Sequence, residues 1–235
     1  RGGDDTSEER RARSAKAFGM LIHLHRGTPY IYQGEELGMT GAHFTKLDQY
    51  RDLESINAYR QRVETAKVQS AESMMEALAL FGRDNARTPM QWDGSKYAGF
   101  TAAGAATEPW ISVNPNHVEI NAAAQFDDPD SVYAFYKKLV NLRHNSALVA
   151  AGTWELVDDD DEKVYAFTRT LGDDRMLVVL NLSGKHAELP KSVAELVGDG
   201  VREDQIVLST IDAIHSAKAL ANGELAAWEG VVVQL

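Results

Sequence analysis

The sequence of 235 residues predicts an α/β segment over residues 1–147, followed by an antiparallel all-β domain, expected to be a β-sandwich, over residues 148–235. Apolar residues recur at helical spacing before residue 148, whereas short β-like runs separated by turn signals such as Asn222-Gly223 follow it. The run from Pro29 to Gly34 is apolar on both faces, which is typical of a parallel strand buried on both sides. These observations together define the predicted fold class.

The elements follow from local patterns. Thr6 or Ser7 is expected to cap the first helix, and Asp128 or Asp130 the last one before the β domain. Helical spacing predicts helices over Thr6–Arg26, Leu53–Val63, Ala71–Phe81 and Asp130–Arg143. The third helix is expected to place Met74, Met75, Leu78, Leu80 and Phe81 in the core. Strands are predicted over Thr153–Val157, Val164–Arg169, Met176–Leu182, Gln205–Ser209 and Trp228–Leu235.

Composition narrows the choice of partners and compartment. With 24 Lys and Arg against 35 Asp and Glu, the net charge is -11, so nucleic acid and an anionic membrane are unsuitable partners. A neutral sugar is compatible with this charge. The sequence has no cysteine, no apolar run of membrane-spanning length and no apolar leader after Arg1. We therefore expect a cytoplasmic protein, and the start at Arg1 suggests a processed or truncated chain.

Neither a metal site nor a cofactor is expected. His23 and His25 are two residues apart on a predicted helix, so they point to different faces and cannot chelate one ion. The acidic run Asp158 to Glu162 lacks the glycine and the distal bidentate glutamate of a calcium loop. It is predicted to be a solvated hairpin turn.

The loops carry acids, an arginine and aromatic residues. Glu35 and Glu36 are adjacent, so they cannot flank one glycosidic bond as the acid and the nucleophile of a retaining glycosidase do. A scaffold role for these acids is favoured. The guanidinium of Arg87 suits sugar hydroxyls or a carboxylate, so it either binds a ligand or holds its loop in an ion-pair network. Trp92 and Tyr97 either stack on a sugar or anchor the loop.

Two stretches, Gly27–Met39 (GTPYIYQGEELGM) and Asn85–Asp93 (NARTPMQWD), resemble the α-amylase superfamily of glycoside hydrolases, in its oligo-1,6-glucosidase and α-glucosidase branch. Three further stretches support the resemblance in the same order along the chain: Trp110–Asn116, Leu139–Arg143 and Val179–Ser183. The resemblance implies the final portion of a (β/α)8 barrel followed by an antiparallel β domain. Thr6–Arg26 would be the seventh barrel helix, Pro29–Gly34 the eighth strand and Asp130–Arg143 the closing helix.

The resemblance also assigns the site. The three catalytic carboxylates of the family would all precede Arg1, so no catalytic residue is expected in this chain. Arg87 is similar to the arginine that fixes the glucose of the innermost subsite, and Gln33 and Glu35 line the same region in the family. The resemblance implies that the chain is part of a retaining α-glucosidase that acts on α-glucosidic oligosaccharides. It also implies that the isolated chain is inactive. The alternative is a non-catalytic carbohydrate-binding or assembly module. The expected protein partners are a second copy of the chain or the missing barrel segment, which would complement it.

Overall fold

The structure, a computed structural model, describes residues 3–102, 108–157 and 160–235. It divides into two units. Residues 39–128 form unit 1, and residues 3–38 together with 129–235 form unit 2. Unit 2 therefore combines the first helix with the whole carboxyl-terminal sheet, so the boundary proposed between residues 147 and 148 stays a prediction.

The α-helices of the described residues are α1 (Glu8–Leu24), α2 (Leu53–Tyr59), α3 (Ala71–Phe81), α4 (Ala122–Gln125), α5 (Val132–Asn145), α6 (Ala147–Ala151), α7 (Lys191–Val197) and α8 (Ala213–Asn222). The strands are β1 (Thr153–Leu156), β2 (Val164–Leu171), β3 (Asp174–Asn181), β4 (Ala187–Glu188), β5 (Ile206–Ser209), β6 (Glu224–Leu225) and β7 (Gly230–Gln234).

The sheet of unit 2 is antiparallel, as predicted. Its strand order is β1-β2-β3-β7-β5, and β4 pairs separately with β6. The hairpin of β2 and β3 pairs from Val164 opposite Asn181 to Leu171 opposite Asp174, and it turns through Gly172 at a positive φ of 62° that suits glycine. The structure adds α7 and α8, which the strand pattern had not predicted, between the later strands.

Successive residues of a strand point to opposite faces of the sheet, and in the central strands both sets are apolar. Helices therefore cover both faces of this sheet. One buried cluster joins α1 and α5 to the sheet and contains Met20, Leu24, Phe135, Leu139, Phe167, Val178 and Leu180. The other joins α7 and α8 to the opposite face and contains Val193, Val197, Leu220, Leu177, Val179, Val231 and Val233. The helix α1 is thus fixed to the carboxyl-terminal sheet by a continuous core.

Unit 1 has a smaller core of its own. Phe44 and Tyr50 meet edge to face with ring centroids 5.5 Å apart, and the buried cluster contains Phe44, Tyr50, Met74, Leu78 and Ile111. The α2 helix ends at Tyr59, and a π-helical turn over Arg60–Thr65 replaces the rest of the predicted helix.

Two expectations about apolar side chains were wrong. The stretch from Pro29 to Gly34 forms no strand, because no described segment pairs with it, and its side chains from Tyr30 to Gln33 are exposed. Leu80 and Phe81 are also exposed at the end of α3, while Met74 and Leu78 on the inner face are buried. Apolar composition predicted burial here, but burial also requires a neighbouring surface.

Capping residues differ in part from the predictions. Ser7 caps α1, with its hydroxyl accepting from the Arg10 amide at 3.2 Å. Ser131 rather than Asp128 or Asp130 caps α5, with its hydroxyl accepting from the Ala134 amide at 3.0 Å. Within the described ranges, no helix has the length and apolar character required to cross a bilayer.

Candidate functional site

The motif Arg83–Asp93 begins with a 3₁₀ turn at Arg83–Ala86 that buries the side chain of Asp84 completely. One oxygen of this carboxylate accepts from the amide of Arg51 at 2.6 Å and from the amide of Asp52 at 2.8 Å. Asp84 lies 32 residues after Asp52 in the sequence, and its side chain fixes the backbone at the start of α2. A carboxylate holding two amides in a dry site makes strong, charge-assisted hydrogen bonds.

Arg87 lies between two acids. Its Nη1 is 3.5 Å from Oδ1 of Asp52 and 3.5 Å from Oδ1 of Asp84, and 36% of its side chain is exposed. The guanidinium therefore turns one nitrogen toward the buried carboxylates, and part of the side chain is open to solvent. Asp52 also caps α2, accepting from the Ser55 amide and hydroxyl at 3.0 and 2.9 Å.

Burial opposes ionisation of Asp52, but the hydrogen bonds from Ser55 outweigh this effect and lower its pKa, and Arg83 and Arg87 add to the lowering. Asp52 is thus an ionised, anchored acid at neutral pH. It is suited to orienting a cation or accepting a hydroxyl donor, and it is poorly suited to donating a proton.

A cleft of about 380 Å³ opens beside this cluster in unit 1. This volume lies within the range of small-molecule sites. Its walls are formed by Asp52, Glu54, Ser55, Ala58, Ala77, Leu78, Phe81, Gly82 and Arg83. Phe81 is 65% exposed at the cleft, and Arg83 and Glu54 face each other at 3.7 Å with both side chains largely solvated. The aromatic ring offers an apolar face, and the acids and the arginine offer hydrogen-bond acceptors and donors.

In unit 2, Glu35 and Glu36 form a 3₁₀ turn with Leu37. The Glu36 carboxylate accepts from the Gly34 amide at 2.7 Å, which is a scaffold contact of the predicted kind. The Glu35 Oε1 atom is buried and has no hydrogen-bond partner among the described residues. Burial raises the pKa of Glu35, and a hydrogen bond with the Tyr32 backbone partly opposes this rise. Burial also raises the pKa of Tyr136, which faces the Glu35 carboxylate.

The two histidines serve packing in unit 2. The His25 ring stacks on Tyr165 at 5.7 Å, and its Nε2 lies 3.1 Å from the Tyr165 hydroxyl. His23 is buried against the edge of Tyr136, at a centroid distance of 5.5 Å. The described residues contain no group of three acids or histidines that could hold a metal ion, and Asp158 and Asp159 of the acidic run lie outside them.

The aromatic residues after Arg87 differ in exposure. Trp92 is half exposed, with its amide donating to the Ala98 carbonyl at 2.8 Å. Tyr97 is partly covered and carries the Lys96 ammonium 4.6 Å above its ring. The backbone therefore holds the loop, and the Trp92 ring stays accessible to solvent.

The predicted site residues fall in both units. Arg87 lies in unit 1 with the acids and the cleft, whereas Gln33, exposed in a turn, and Glu35 lie in unit 2. Sequence reasoning missed Asp52, Glu54 and the exposed Phe81. The position of Asp52 directly before an apolar helical run is an N-cap signature that could have identified it.

Comparison with known proteins gives the family. The family described as alpha amylase, catalytic domain, matches residues 1–152, and the maltogenic amylase C-terminal domain matches residues 154–203. An oligo-1,6-glucosidase of Parageobacillus thermoglucosidasius is 41% identical over 96% of this chain and 38% of its own length. A glucan 1,6-alpha-glucosidase of Streptococcus pneumoniae is 42% identical over 97% of this chain and 39% of its own.

Solved structures agree. A trehalose-6-phosphate hydrolase of Bacillus licheniformis superimposes with a TM-score of 0.82 at 35% identity, covering 98% of this chain and 40% of that one. An isomaltulose synthase of Protaminobacter rubrum gives a TM-score of 0.79 at 36% identity, with 98% and 39% coverage. The chain thus spans about two fifths of the length of these relatives. The chain belongs to the α-amylase family of glycoside hydrolases, in the branch of oligo-1,6-glucosidases and α-glucosidases.

Proposed function

We propose that this chain forms part of a retaining α-glucosidase that hydrolyses terminal α-glucosidic bonds of oligosaccharides, in the manner of an oligo-1,6-glucosidase. The cluster of Asp52, Asp84 and Arg87 carries the proposal, and Asp52 is the member of this cluster that lines the cleft. Relatives named oligo-1,6-glucosidase and glucan 1,6-alpha-glucosidase support the reaction class. The net charge of -11 is compatible with a neutral sugar substrate.

In this proposal a glucosyl ring is held by hydrogen bonds from Arg87 and stacks at the cleft of unit 1. The exposed donors of Arg87 reach hydroxyl groups while its Nη1 stays with Asp52 and Asp84. Phe81 offers the apolar face, and Arg83 and Glu54 offer a donor and an acceptor at the cleft wall. Within unit 2, Gln33 and Glu35 are further proposed sugar-binding residues.

The isolated chain is proposed to bind sugar without cleaving it. Asp52 and Asp84 share one arginine and bind backbone amides or Ser55, so neither is available as a nucleophile or as a proton donor. Glu35 and Glu36 are sequence neighbours, and Glu36 is bound to the Gly34 amide. A retaining glycosidase needs two carboxyls about 5–5.5 Å apart across one bond, and neither pair is free to act in that way.

Ligand-observed NMR with isomaltose and maltose, paired with a p-nitrophenyl α-glucoside assay, tests the proposal. We expect binding without turnover, and Arg87→Ala should weaken binding at least tenfold, about 1.4 kcal/mol. Arg60→Ala, at an exposed position on the π-helical turn, is the matched control and should leave binding unchanged. Turnover by the chain alone, or unchanged binding by Arg87→Ala, would contradict the proposal.

A non-catalytic carbohydrate-binding module is the alternative function. It predicts that sugar binding by the chain alone is as tight as binding by a complete α-glucosidase assembly. The enzyme proposal instead predicts weaker binding by the chain alone, because the remaining subsite contacts come from other parts of such an enzyme. Titrating isomaltose into this chain and into the Parageobacillus thermoglucosidasius relative separates the two alternatives.

A further inference from the structure

The helix α8 of unit 2 ends at Asn222, and Gly223 follows it directly. Asn222 is the one asparagine of the sequence that precedes a glycine, and it is exposed. The match to the maltogenic amylase C-terminal domain ends at residue 203, so this pair lies beyond the residues that either matched family covers. Its chemistry is therefore argued from its own geometry.

The backbone of Gly223 is open to reaction on the side where other residues carry a Cβ. Gly223 has the left-handed conformation, with φ 75° and ψ 25°, which suits glycine at the end of a helix. A Cβ built on Gly223 would have no atom within 4 Å, its chain neighbours aside. The Gly223 amide donates to the Leu220 carbonyl at 3.1 Å. This bond belongs to the last turn of the helix, and helix ends open much more readily than helix interiors.

Asn145 provides a matched comparison in the same unit. It is also exposed and is also the last residue of a helix, α5. Its carboxamide donates to the Asn141 carbonyl at 3.0 Å and to the Asn141 side-chain oxygen at 2.7 Å, and the residue after it is Ser146, which carries a Cβ. The two asparagines therefore share their place in a helix and differ in the residue that follows.

We propose that Asn222 is a site of spontaneous deamidation. The backbone nitrogen of Gly223 attacks the side-chain carbonyl carbon of Asn222 and loses its proton. The bond from that carbon to the carboxamide nitrogen breaks, and ammonia leaves with the proton. Water then opens the resulting five-membered succinimide at either carbonyl. One opening gives aspartate, and the other gives isoaspartate, in which the main chain runs through the former side chain.

Isoaspartate at this position would lengthen the main chain by a methylene group between α8 and β6, where the spacing is fixed on both sides. Leu220 before it and Leu225 after it are buried in the same core cluster, and Leu225 pairs with Ala187. The Leu189 amide donates to the Gly223 carbonyl at 2.8 Å. Aspartate instead places a negative charge at the carboxyl end of a helix, where the helix dipole opposes it. Both products weaken the connection between α8 and the β4–β6 pair.

Prolonged incubation of the folded 235-residue chain in mildly alkaline buffer, followed by peptide mass spectrometry, tests the proposal. Cleavage after lysine and arginine places Asn222 in a peptide of residues 219–235 and Asn145 in one of residues 144–163, with no second asparagine in either. We expect the first peptide to gain one dalton and to contain both isoaspartate and aspartate. The second should react more slowly by about tenfold or more, because the Ser146 side chain hinders the attack that glycine permits.

The variant Asn222→Gln is the control, because its longer side chain would have to close a six-membered ring. We expect it to keep its mass and the hydrogen-exchange protection of the Leu189 amide on storage, whereas the deamidated chain loses this protection. Equal reaction at Asn222 and Asn145 in the folded chain would refute the proposal. So would an unchanged peptide of residues 219–235 from the folded chain when the urea-unfolded chain reacts, since the helix end would then block the attack. Unchanged protection of Leu189 in the deamidated chain would refute the proposed weakening.

Discussion

Replacing Asp84 by alanine is the sharpest test of how unit 1 is held together. The change leaves the amides of Arg51 and Asp52 without their acceptor and removes one of the two acids of Arg87. A buried donor left unpaired costs about 1–3 kcal/mol. The Asp52 amide is buried and that of Arg51 only partly so, so we expect Asp84→Ala to destabilise unit 1 by about 3 kcal/mol. Asp84→Asn keeps one acceptor oxygen and should cost about half as much.

The measurement must separate the two units, because the sequence has 4 tryptophans and both units contain some of them. Urea unfolding with pulsed hydrogen exchange, read on peptides spanning residues 51–59, reports α2 of unit 1 directly. Glu64→Ala, at an exposed position on the π-helical turn, is the control and should change stability by less than about 0.5 kcal/mol. The proposed role of Asp84 fails if its alanine variant is as stable as this control.

Two further predictions concern pH and unit 2. The pKa of Asp4 is lowered to about 2 by hydrogen bonds from Thr6 and from the Trp228 indole. Its contribution to stability is therefore complete above pH 3.8 and lost as the pH falls toward 2, and Asp4→Asn should flatten the acid limb of the unfolding curve. Burial raises the pKa of Glu35, so the folded state binds the carboxyl proton more tightly than the unfolded state does. Stability therefore falls as the pH rises past 4.5, the ordinary pKa of a glutamate. Glu35→Gln should then raise the Tm of unit 2 at pH 7 but not at pH 4, as measured by calorimetry.

The parts of the fold that sequence predicted well are those determined by local chemistry. The α3 helix runs from Ala71 to Phe81 as predicted, because Ser70 caps its start and Gly82 follows its end. The strands β2 and β3 were located within a few residues, since Gly172 supplies the turn that their register requires. Capping, turns and periodicity act over a few residues and can therefore be read directly from the sequence.

Other errors came from interactions between distant parts of the chain. The pattern of Tyr30 to Tyr32 predicted a buried strand, yet the described residues contain no strand beside it. Phe81 was expected in the core and instead lines the cleft. The side chain of Asp84 binds the backbone amide of Asp52, 32 residues away in the sequence. Nothing in the sequence around Asp84 indicates which distant amide it binds. Burial and long-range hydrogen bonds depend on the completed tertiary structure, so local patterns do not determine them.

Arg87 combines contacts to two acids with a partly exposed side chain. One nitrogen of its guanidinium contacts two acids, one of which is fully buried, and 36% of the Arg87 side chain is exposed. Removing the arginine therefore leaves Asp84 as a buried charge short of one partner, besides removing any contact to a ligand. A loss of sugar binding in Arg87→Ala that comes with intact protection of residues 51–59 would indicate a direct contact. A loss that comes with opening of α2 would instead indicate that the arginine acts through Asp52 and Asp84 in shaping the cleft.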